Sequence, residues 1–284
     1  MNPPYDEMHT KQCGRLTQIN PNTLLLVRLT SETIKMMKKA LAAVVLGAMM
    51  IGGVAQAKDL RVASNTTFPP FEFVNSQTKE ITGFEMDLIR TMGKVAGYDV
   101  KIVNMGFDGI IPAILSGSVD VGASGFSVSE ERKKRVLFTD PFYKSGLTIL
   151  VNKGSEETIK GFADLKGKKL AVQIGTTAAT KAKTIEGAQV KTFNNAGEAI
   201  LELGMGGVDA VINDKPVTAY ILTQQPKLAK QTVHLPEMLT ADDFAMVVAK
   251  NRPELAAELN EALKTLKANG EYDKLLTKWF GDVK

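Results

Sequence analysis

Short apolar runs of β-strand type alternate with amphipathic stretches of helical period from residue 58 to the end of the chain. A first series predicts strands at 60–63, 100–103 and 119–121, with helices at 83–95 and 109–115. A second series predicts strands at 169–173, 190–193 and 208–212, with helices at 176–184, 196–203 and 215–222. Because parallel strands need a crossover between them, usually a helix, this alternation is typical of parallel α/β sheets. It argues against all-helical and all-β folds.

The two series imply two α/β lobes. An extended run at 142–151, without helical periodicity, separates them, and the chain ends with a strand at 245–249 and helices at 253–267 and 271–280. We expect lobe 1 to comprise residues 58–143 and 246–284, and lobe 2 residues 144–245. The chain then crosses between the lobes near residues 143–146 and again near 243–245, and these crossings are expected to form a hinge.

An internal repeat supports two related lobes. Residues 114–121 and 203–211 share one pattern, a helix ending at glycine and then a strand beginning Val-Asp, with Asp120 and Asp209 in equivalent places. Glycine is common in such loops, so the residues after each strand matter more. Those residues are small and polar: Ser124, Gly125 and Ser127 in one series, Asn213 and Asp214 in the other. Since ligands of open α/β sheets bind beyond the carboxyl ends of the strands, we expect a ligand between the lobes.

A secretory leader precedes the lobes. Met36-Met37-Lys38-Lys39 is followed by an apolar run at 40–55 and by Ala55-Gln56-Ala57. A positive start, a short apolar core and small residues before the cleavage point are typical of a signal peptide, so residues 36–57 are predicted to be removed after Ala57. The apolar run is too short to favour a membrane anchor. Residues 1–35 are interpreted as an upstream, non-native start, and the expected location is the bacterial periplasm.

The excess charge of the chain lies in this leader. The whole chain carries a formal charge of +4, but residues 58–284 hold 29 basic and 28 acidic side chains. A balance this close to neutral argues against a nucleic-acid partner. The single cysteine, Cys13, lies upstream of the apolar run, so we expect no disulfide in the mature chain.

Enzyme and metal motifs are absent from the sequence. It contains no G-x-x-x-x-G-K-[ST], no G-x-G-x-x-G after the first strand, no H-E-x-x-H and no G-x-S-x-G. His234 is the only histidine of residues 58–284, which excludes a His/Cys zinc site and leaves a Ser-His-Asp triad dependent on one residue of a peripheral strand. We therefore expect no catalytic residue, no metal and no cofactor.

Arg132 is a candidate receptor for a carboxylate. Ser129 can cap a short helix whose third residue is Arg132, close to the hydroxyl of Ser127. A guanidinium held there offers two parallel donors to a carboxylate, which a point charge does not. Taken by itself, an arginine in this position is more often an ordinary surface residue.

Seven segments carry a resemblance to a known family. They are 63–73 (ASNTTFPPFEF), 83–88 (GFEMDL), 107–115 (FDGIIPAIL), 129–133 (SEERK), 138–143 (FTDPFY), 269–272 (NGEY) and 278–280 (KWF). In this order they resemble the polar amino-acid solute-binding proteins of ABC importers, and within that family most closely the glutamine-binding proteins. The resemblance implies a type 2 periplasmic binding protein, with two α/β lobes joined by two hinge crossings around a ligand cleft. It also implies a monomer that is no enzyme and captures a free L-amino acid for an inner-membrane ABC permease.

The resemblance further implies which residues contact the ligand. Arg132 would pair with the α-carboxylate and Asp214 with the α-ammonium. Further contacts to the main chain of the ligand are implied for Ser124, Gly125, Ser127 and Thr177. Phe68 and Phe107 would be aromatic walls around the ligand side chain. By contrast, the pattern places Phe71 and Phe84 in the core.

Three departures from the glutamine-type pattern concern the end of the ligand side chain. Asn65 stands where an aspartate is usual, Gln173 where a lysine is usual, and Asn213 where a histidine is usual. Each change removes a full or potential charge, and a buried ionic side chain needs a partner of opposite charge. We therefore expect a neutral polar ligand, with glutamine favoured.

Two alternatives remain open at this point. An arginine- or lysine-type, or broad-specificity, binder would follow if an acid such as Glu72 reached the pocket. A periplasmic dehydratase-like enzyme on the same fold would need a buried acid/base pair in the cleft, for which only Glu72 and Lys144 can be suggested.

Overall fold

The computed structural model describes residues 35, 36 and 57–281. The chain divides into two units, residues 1–55 and 56–284. In the first unit Lys35 and Met36 are described, and both are helical and exposed. The predicted upstream start at 1–35 and signal peptide at 36–57 thus fall almost entirely outside the described residues and stay predictions. Within the described part of the chain, no helix has both the length and the apolar character needed to cross a membrane.

Strands and helices follow one another closely along the second unit. The strands are β1 (Lys58–Ser64), β2 (Thr67–Phe68), β3 (Glu72–Val74), β4 (Ile81–Thr82), β5 (Tyr98–Asn104), β6 (Val121–Gly122), β7 (Val136–Phe138), β8 (Tyr143–Ser145), β9 (Leu147–Asn152), β10 (Lys169–Gln173), β11 (Gln189–Phe193), β12 (Ala210–Asp214), β13 (Thr232–His234), β14 (Asp242–Phe244) and β15 (Val247–Ala249). The helices are α1 (Phe84–Ala96), α2 (Phe107–Leu115), α3 (Glu130–Lys133), α4 (Thr177–Lys183), α5 (Ala196–Gly204), α6 (Lys215–Gln224), α7 (Pro226–Gln231), α8 (Pro253–Ala268) and α9 (Glu271–Phe280). Each predicted helix and strand is present, with bounds shifted by about two residues, the usual uncertainty of helix and strand ends.

Two five-stranded sheets share one topology. The first has the order β5-β1-β6-β15-β7 and the second the order β11-β10-β12-β9-β13. In each sheet the three strands named first are parallel, and the fourth is antiparallel to both of its neighbours. The two predicted α/β lobes are confirmed, but the sheets are mixed rather than wholly parallel, because β15 and β9 enter from the opposite direction.

The internal repeat has a structural basis in its two aspartates. The Arg61 N–H donates to Asp120 Oδ2 at 2.9 Å, and the Lys169 N–H donates to Asp209 Oδ2 at 2.7 Å. In return, the Asp120 and Asp209 N–H groups each donate at 2.8 Å to the carbonyl oxygens of Arg61 and Lys169, respectively. Each aspartate thus ties the turn before a strand to the neighbouring strand. For this reason β6 and β12 begin two residues later than predicted.

Replacing Asp209 by alanine should therefore destabilise the protein without altering its ligand site. The Lys169 N–H would exchange its carboxylate partner for water, at a cost of about 1 kcal/mol. Urea unfolding monitored by circular dichroism measures this loss. Asp209→Asn keeps an acceptor oxygen at the same place and should lose less. If Asp209→Ala is as stable as the unaltered protein, the hydrogen bond from the Lys169 N–H to Asp209 does not stabilise the fold.

Helix α1 packs its apolar face on the first sheet. Its fully or almost fully buried side chains are those of Phe84, Met86, Leu88, Ile89 and Met92. Burying each of these stabilises the fold by about 1.5–3 kcal/mol. Phe71 and Phe84 are both 0% exposed, so their predicted place in the core is confirmed.

The chain passes between the two sheets twice, through β8 and through β14. These strands pair antiparallel, with Tyr143 opposite Phe244 and Ser145 opposite Asp242. A Cβ atom added to the next residue, Gly146, would lie 2.0 Å from the carbonyl oxygen of Thr240, so only glycine fits there. The crossings lie where the sequence places them, near 143–146 and 243–245. The limits of the lobes drawn from the sequence stay predictions.

Several short elements were not predicted. The strands β2, β3 and β4 form a three-stranded sheet over residues 67–82, and α7 precedes β13, the peripheral strand expected at His234, at one edge of the second large sheet. Strands of two or three residues are too short to show the alternation on which strand prediction depends.

Candidate functional site

Loops from both large sheets converge on one narrow cavity of about 10 Å³. From the first sheet come the turn after β1, the loop after β6, and the start of α2 and of α3. From the second come the carboxyl ends of β10 and β12 and the start of α4. Ten of the eleven predicted site residues line this cavity: Asn65, Phe68, Phe107, Ser124, Gly125, Ser127, Arg132, Gln173, Thr177 and Asp214. This position beyond the strand ends is where α/β sheets bind ligands.

Arg132 is held from both sheets. The Ser129 hydroxyl caps α3 by accepting from the Arg132 N–H at 3.3 Å, as predicted. One guanidinium nitrogen donates to the Ser127 carbonyl oxygen at 2.8 Å and the other to the Gly175 carbonyl oxygen at 3.1 Å. The guanidinium also lies 5.4 Å from the ring centre of Phe107. Burial lowers the pKa of Arg132 to about 10, so the side chain stays cationic at neutral pH.

Asp214 ends β12 on the other side of the cavity. It is buried, and its Oδ1 accepts a hydrogen bond from the Ser145 hydroxyl at 2.8 Å. Burial raises the pKa of Asp214 to about 7, while the Ser145 hydrogen bond and the charge of Arg132 act in the opposite direction. Among residues 57–281, no ion pair joins Asp214 to Arg132 or to another base. The site thus holds a base and an acid that form no ion pair with each other, although the charge of each acts on the pKa of the other.

Asn213 does not line the cavity with the other predicted residues. Its amide nitrogen donates to the Thr218 hydroxyl at 3.1 Å, inside the second lobe. Successive side chains of a strand point to opposite faces, so Asn213 and Asp214 do not both face the ligand cleft. Asn213 thus contacts Thr218 and is not part of the cavity wall, and its predicted ligand contact stays a prediction.

Polar side chains of the two sheets meet across the cavity. The Gln173 amide nitrogen donates to Asn65 Oδ1 at 3.0 Å, and the hydroxyls of Ser127 and Thr177 lie 3.3 Å apart. With the bond from Arg132 to Gly175, these contacts hold the lobes in a closed arrangement. A wider groove of about 570 Å³ continues outward from Arg132 and Thr177.

The two residues predicted as aromatic walls lie at the cavity, and their contact with a ligand stays a prediction. Phe68 and Phe107 line the cavity, and both are 7% exposed. The Phe107 ring stacks on Phe126 with centres 4.6 Å apart, which fixes its orientation. At Gly125 (φ +57°), a Cβ atom would lie 2.9 Å from the Phe68 ring, so glycine keeps this wall in position.

Glu72 is the site residue that sequence reasoning left out of the binding set. It lines the cavity at 0% exposure; its Oε1 accepts from the Ser124 hydroxyl at 3.2 Å, and its Oε2 has no hydrogen-bond partner among the described residues. Burial, and next the charge of Glu85, raises the pKa of Glu72 well above its usual range. Thr176, the cap of α4, also lines the cavity and was not predicted. The signal for Glu72 was a lone carboxylate among the apolar residues of Phe68 to Phe73, where only a polar cavity compensates its burial.

The other candidates for chemistry lie elsewhere. Lys144, suggested as the partner of Glu72 in an enzyme, is exposed and does not line the cavity. His234 lies on the edge strand β13, where its Nε2 is 2.7 Å from the Thr148 hydroxyl. Burial lowers its pKa, so this histidine is neutral at physiological pH. Among residues 35, 36 and 57–281, no three His, Cys, Asp or Glu side chains are grouped to hold a metal ion.

Curated relatives of the chain are binding proteins. A "Probable histidine-binding protein" of Campylobacter jejuni is 33% identical over 221 residues, 78% of this chain and 84% of that protein. "ABC transporter arginine-binding protein 1" of Escherichia coli K12 is 31% identical over 247 residues, 86% of this chain and 99% of that protein.

Solved structures share the fold at higher identity. An ancestral arginine-binding protein bound to arginine has a TM-score of 0.76 and 40% identity, covering 80% of this chain and 100% of its own. A similar ancestral protein bound to glutamine has a TM-score of 0.72 and 39% identity, covering 79% and 98%. An ancestral amino acid-binding precursor of cyclohexadienyl dehydratase has a TM-score of 0.71 and 39% identity, covering 83% and 99%.

The family comparison agrees with the fold and the position of the cavity. Residues 60–282 match the family described as "Bacterial extracellular solute-binding proteins, family 3". This match covers both large sheets and every residue that lines the cavity. The chain belongs to the family 3 bacterial extracellular solute-binding proteins.

Proposed function

We propose that this protein captures a free L-amino acid with a cationic side chain, arginine foremost, and delivers it to an ABC permease. The residues at the cavity support both halves of such a ligand. Its main chain would lie between Arg132 and Asp214, and its side chain would reach Glu72.

Arg132 and Asp214 match a zwitterion. Both are buried, and no side chain in the described part of the chain pairs with either charge. An α-carboxylate would take the two donors of the guanidinium, and an α-ammonium would lie against the Asp214 carboxylate. The ammonium would also lower the pKa of Asp214 from about 7, so bound ligand favours its ionised form.

The Glu72 carboxyl, an acidic group in the wall of the cavity, is the observation that carries the choice of a cationic side chain. The expectation of a neutral ligand was built on Asn65, Gln173 and Asn213, of which none is charged. An ionised Glu72 adds a negative charge that these three residues lack. A guanidinium supplies donors and a positive charge to such a carboxylate. Phe68 and Phe107 would add cation–π attraction of about 0.5–2 kcal/mol.

Glutamine is the second candidate. The amides of Asn65 and Gln173 meet at the cavity and can pair with the amide of a ligand. The raised pKa of Glu72 also favours its protonated form, which can donate to an amide oxygen.

An enzyme is not favoured by this site. A dehydratase-like reaction needs an acid and a base facing the substrate. Glu72 lies at the cavity, but Lys144 does not. Binding and release therefore fit the cavity better than turnover does.

Delivery requires export and opening of the lobes. We propose that the leader at 36–57 directs the chain to the periplasm, where it acts as a monomer. The ligand would enter while the lobes, 58–143 with 246–284 and 144–245, are apart, and the β8–β14 pair would act as the hinge.

Calorimetric titration at about pH 8.5 tests the proposal. The protein is first refolded to remove bound ligand and is then titrated with arginine, lysine, histidine, glutamine and glutamate. We expect arginine to bind at least about tenfold more tightly than glutamine, because a buried charged hydrogen bond contributes about 1.5–3 kcal/mol. Glutamate should not bind measurably. Tighter binding of glutamine than of arginine would favour the second candidate, and binding of no amino acid would overturn the function.

A further inference from the structure

A second buried carboxyl group lies behind Glu72. Glu85, in the first turn of α1, is 0% exposed, and its Oε2 accepts from the Gly125 N–H at 2.7 Å. Its Oε1 has no partner among the described residues when both carboxyls are ionised, and the same holds for Glu72 Oε2. One proton between these two side chains hydrogen-bonds them to each other. A single proton between Glu72 Oε2 and Glu85 Oε1 therefore gives both oxygens a hydrogen-bond partner.

Two buried carboxylates in contact do not both ionise readily. Burial raises the pKa of Glu85 to about 8, and burial together with the charge of Glu85 raises the pKa of Glu72 further. Such pairs titrate as a unit and hold a proton between them.

Other charged groups near the pair are few. Asp214, at the end of β12, also acts on Glu72, in the direction that favours its protonated form. On the turn between β3 and β4, Lys79 and Glu80 are exposed, and on α1 Asp87 pairs with Lys278 at 2.7 Å. No base in the described part of the chain contributes to the charge balance of Glu72 or Glu85. A cation at Glu72 would therefore have to come from the ligand.

We propose that the proton shared by Glu72 and Glu85 lies on Glu85 when a cationic side chain occupies the cavity, and on Glu72 when a neutral amide does. This inference rests on the proposed function. In the first state the O–H bond at Glu72 Oε2 breaks, one forms at Glu85 Oε1, and Glu72 meets the ligand as an anion. In the second state the proton returns to Glu72 Oε2, which donates to Glu85 Oε1, and Glu72 meets the ligand as an uncharged group. No proton leaves the pair, and Glu85 is a positioning residue that sets the charge of Glu72.

Glu85→Gln tests this role, because glutamine resembles a protonated Glu85. Its amide oxygen can accept from the Gly125 N–H, and its amide nitrogen can donate to Glu72, which would stay ionised. At about pH 8.5 the variant should keep its affinity for arginine but bind L-citrulline, the uncharged analogue with the same main chain, about tenfold more weakly. Citrulline matches arginine at Arg132 and Asp214, so the ratio of the two affinities isolates the side chain.

The pH dependence of that ratio gives a second readout. A carboxyl with a raised pKa takes up its proton as the pH falls through that value, here about 8. A doubly protonated pair has no charge for a guanidinium. The preference of the unaltered protein for arginine over citrulline should therefore fall between about pH 8.5 and about pH 6. In Glu85→Gln the fall should begin at a lower pH, because the variant lacks the charge of Glu85 that raises the pKa of Glu72.

Proton uptake on binding tests the inference without a variant. Titrations of the unaltered protein in two buffers of different ionisation enthalpy should give the same proton count for arginine and for citrulline at about pH 8.5. Release of one extra proton with arginine would overturn the internal transfer. Equal weakening of both ligands by Glu85→Gln would show that Glu85 only supports the fold. Failure of the unaltered protein to bind arginine would instead overturn the proposed function, a result distinct from both.

Discussion

Arg132→Ala should weaken amino-acid binding by roughly two to three orders of magnitude. The substitution leaves the ligand carboxylate without its partner in a buried cavity, and breaking such a pair costs about 3–5 kcal/mol. Alanine also removes the donors to Ser127 and Gly175, of which the second joins the two lobes. The dissociation constant for arginine, measured by calorimetry, checks this expectation.

Arg135→Ala is the matched control for this experiment. It removes an exposed cation three residues further along the same segment and should change the dissociation constant by less than about twofold. Thermal unfolding of ligand-free Arg132→Ala should show an intact fold. Arginine binding by that variant within threefold of the unaltered protein would mean that the carboxylate site lies elsewhere.

Glu72→Gln should reverse the selectivity of the cavity. The variant keeps the shape of the side chain but loses the only acid that lines the side-chain end of the cavity among the described residues. Arginine should bind about a hundredfold more weakly, since a buried charge without its partner costs about 3 kcal/mol or more. Glutamine should bind within a few-fold of its original affinity, because an amide at position 72 can still pair with the ligand amide. Competition calorimetry with both ligands measures the two changes.

Glu80→Gln removes an exposed acid from the neighbouring turn and should leave both affinities unchanged. If Glu72→Gln weakens the binding of arginine and of glutamine equally, Glu72 shapes the cavity but does not discriminate between charged and neutral ligands.

Periodic patterns were sufficient to predict most of this fold. The apolar face of α1 shows its structure locally, because every third to fourth residue faces the core. The strand β10 is instead recognised as a short apolar run, whose residues 170–173 are all buried. The repeated Val-Asp pattern located the equivalent strands, although the aspartates themselves belong to the preceding turns. The small sheet β2-β3-β4 was missed because its strands, of two or three residues each, are too short to show an alternation of apolar and polar residues.

The candidate site was predictable where a residue's place follows from strand ends and caps. Arg132 could be placed because Ser129 begins its helix, and Asp214 because it ends a strand. Asn213 was included because it follows a predicted strand and stands where the resemblance has a histidine, whereas in the structure its amide donates to Thr218. The partnership of Glu72 and Glu85 arises only when β3 and α1 pack on the loop that contains Gly125, which no local pattern reports.

The strand order of the first sheet determines how this chain can fold as it is synthesised. All five strands of the second sheet lie in one continuous stretch, from β9 to β13, so that sheet can form as soon as the stretch has emerged. The first sheet must wait for β15, which inserts between β6 and β7 from the far end of the chain, and until then both strands expose unpaired edges. Folding of the second lobe brings β8 and β14 together and thereby shortens the loop that β15 must close. Once the second lobe has folded, β15 therefore lies closer to β6 and β7, the two strands between which it must insert.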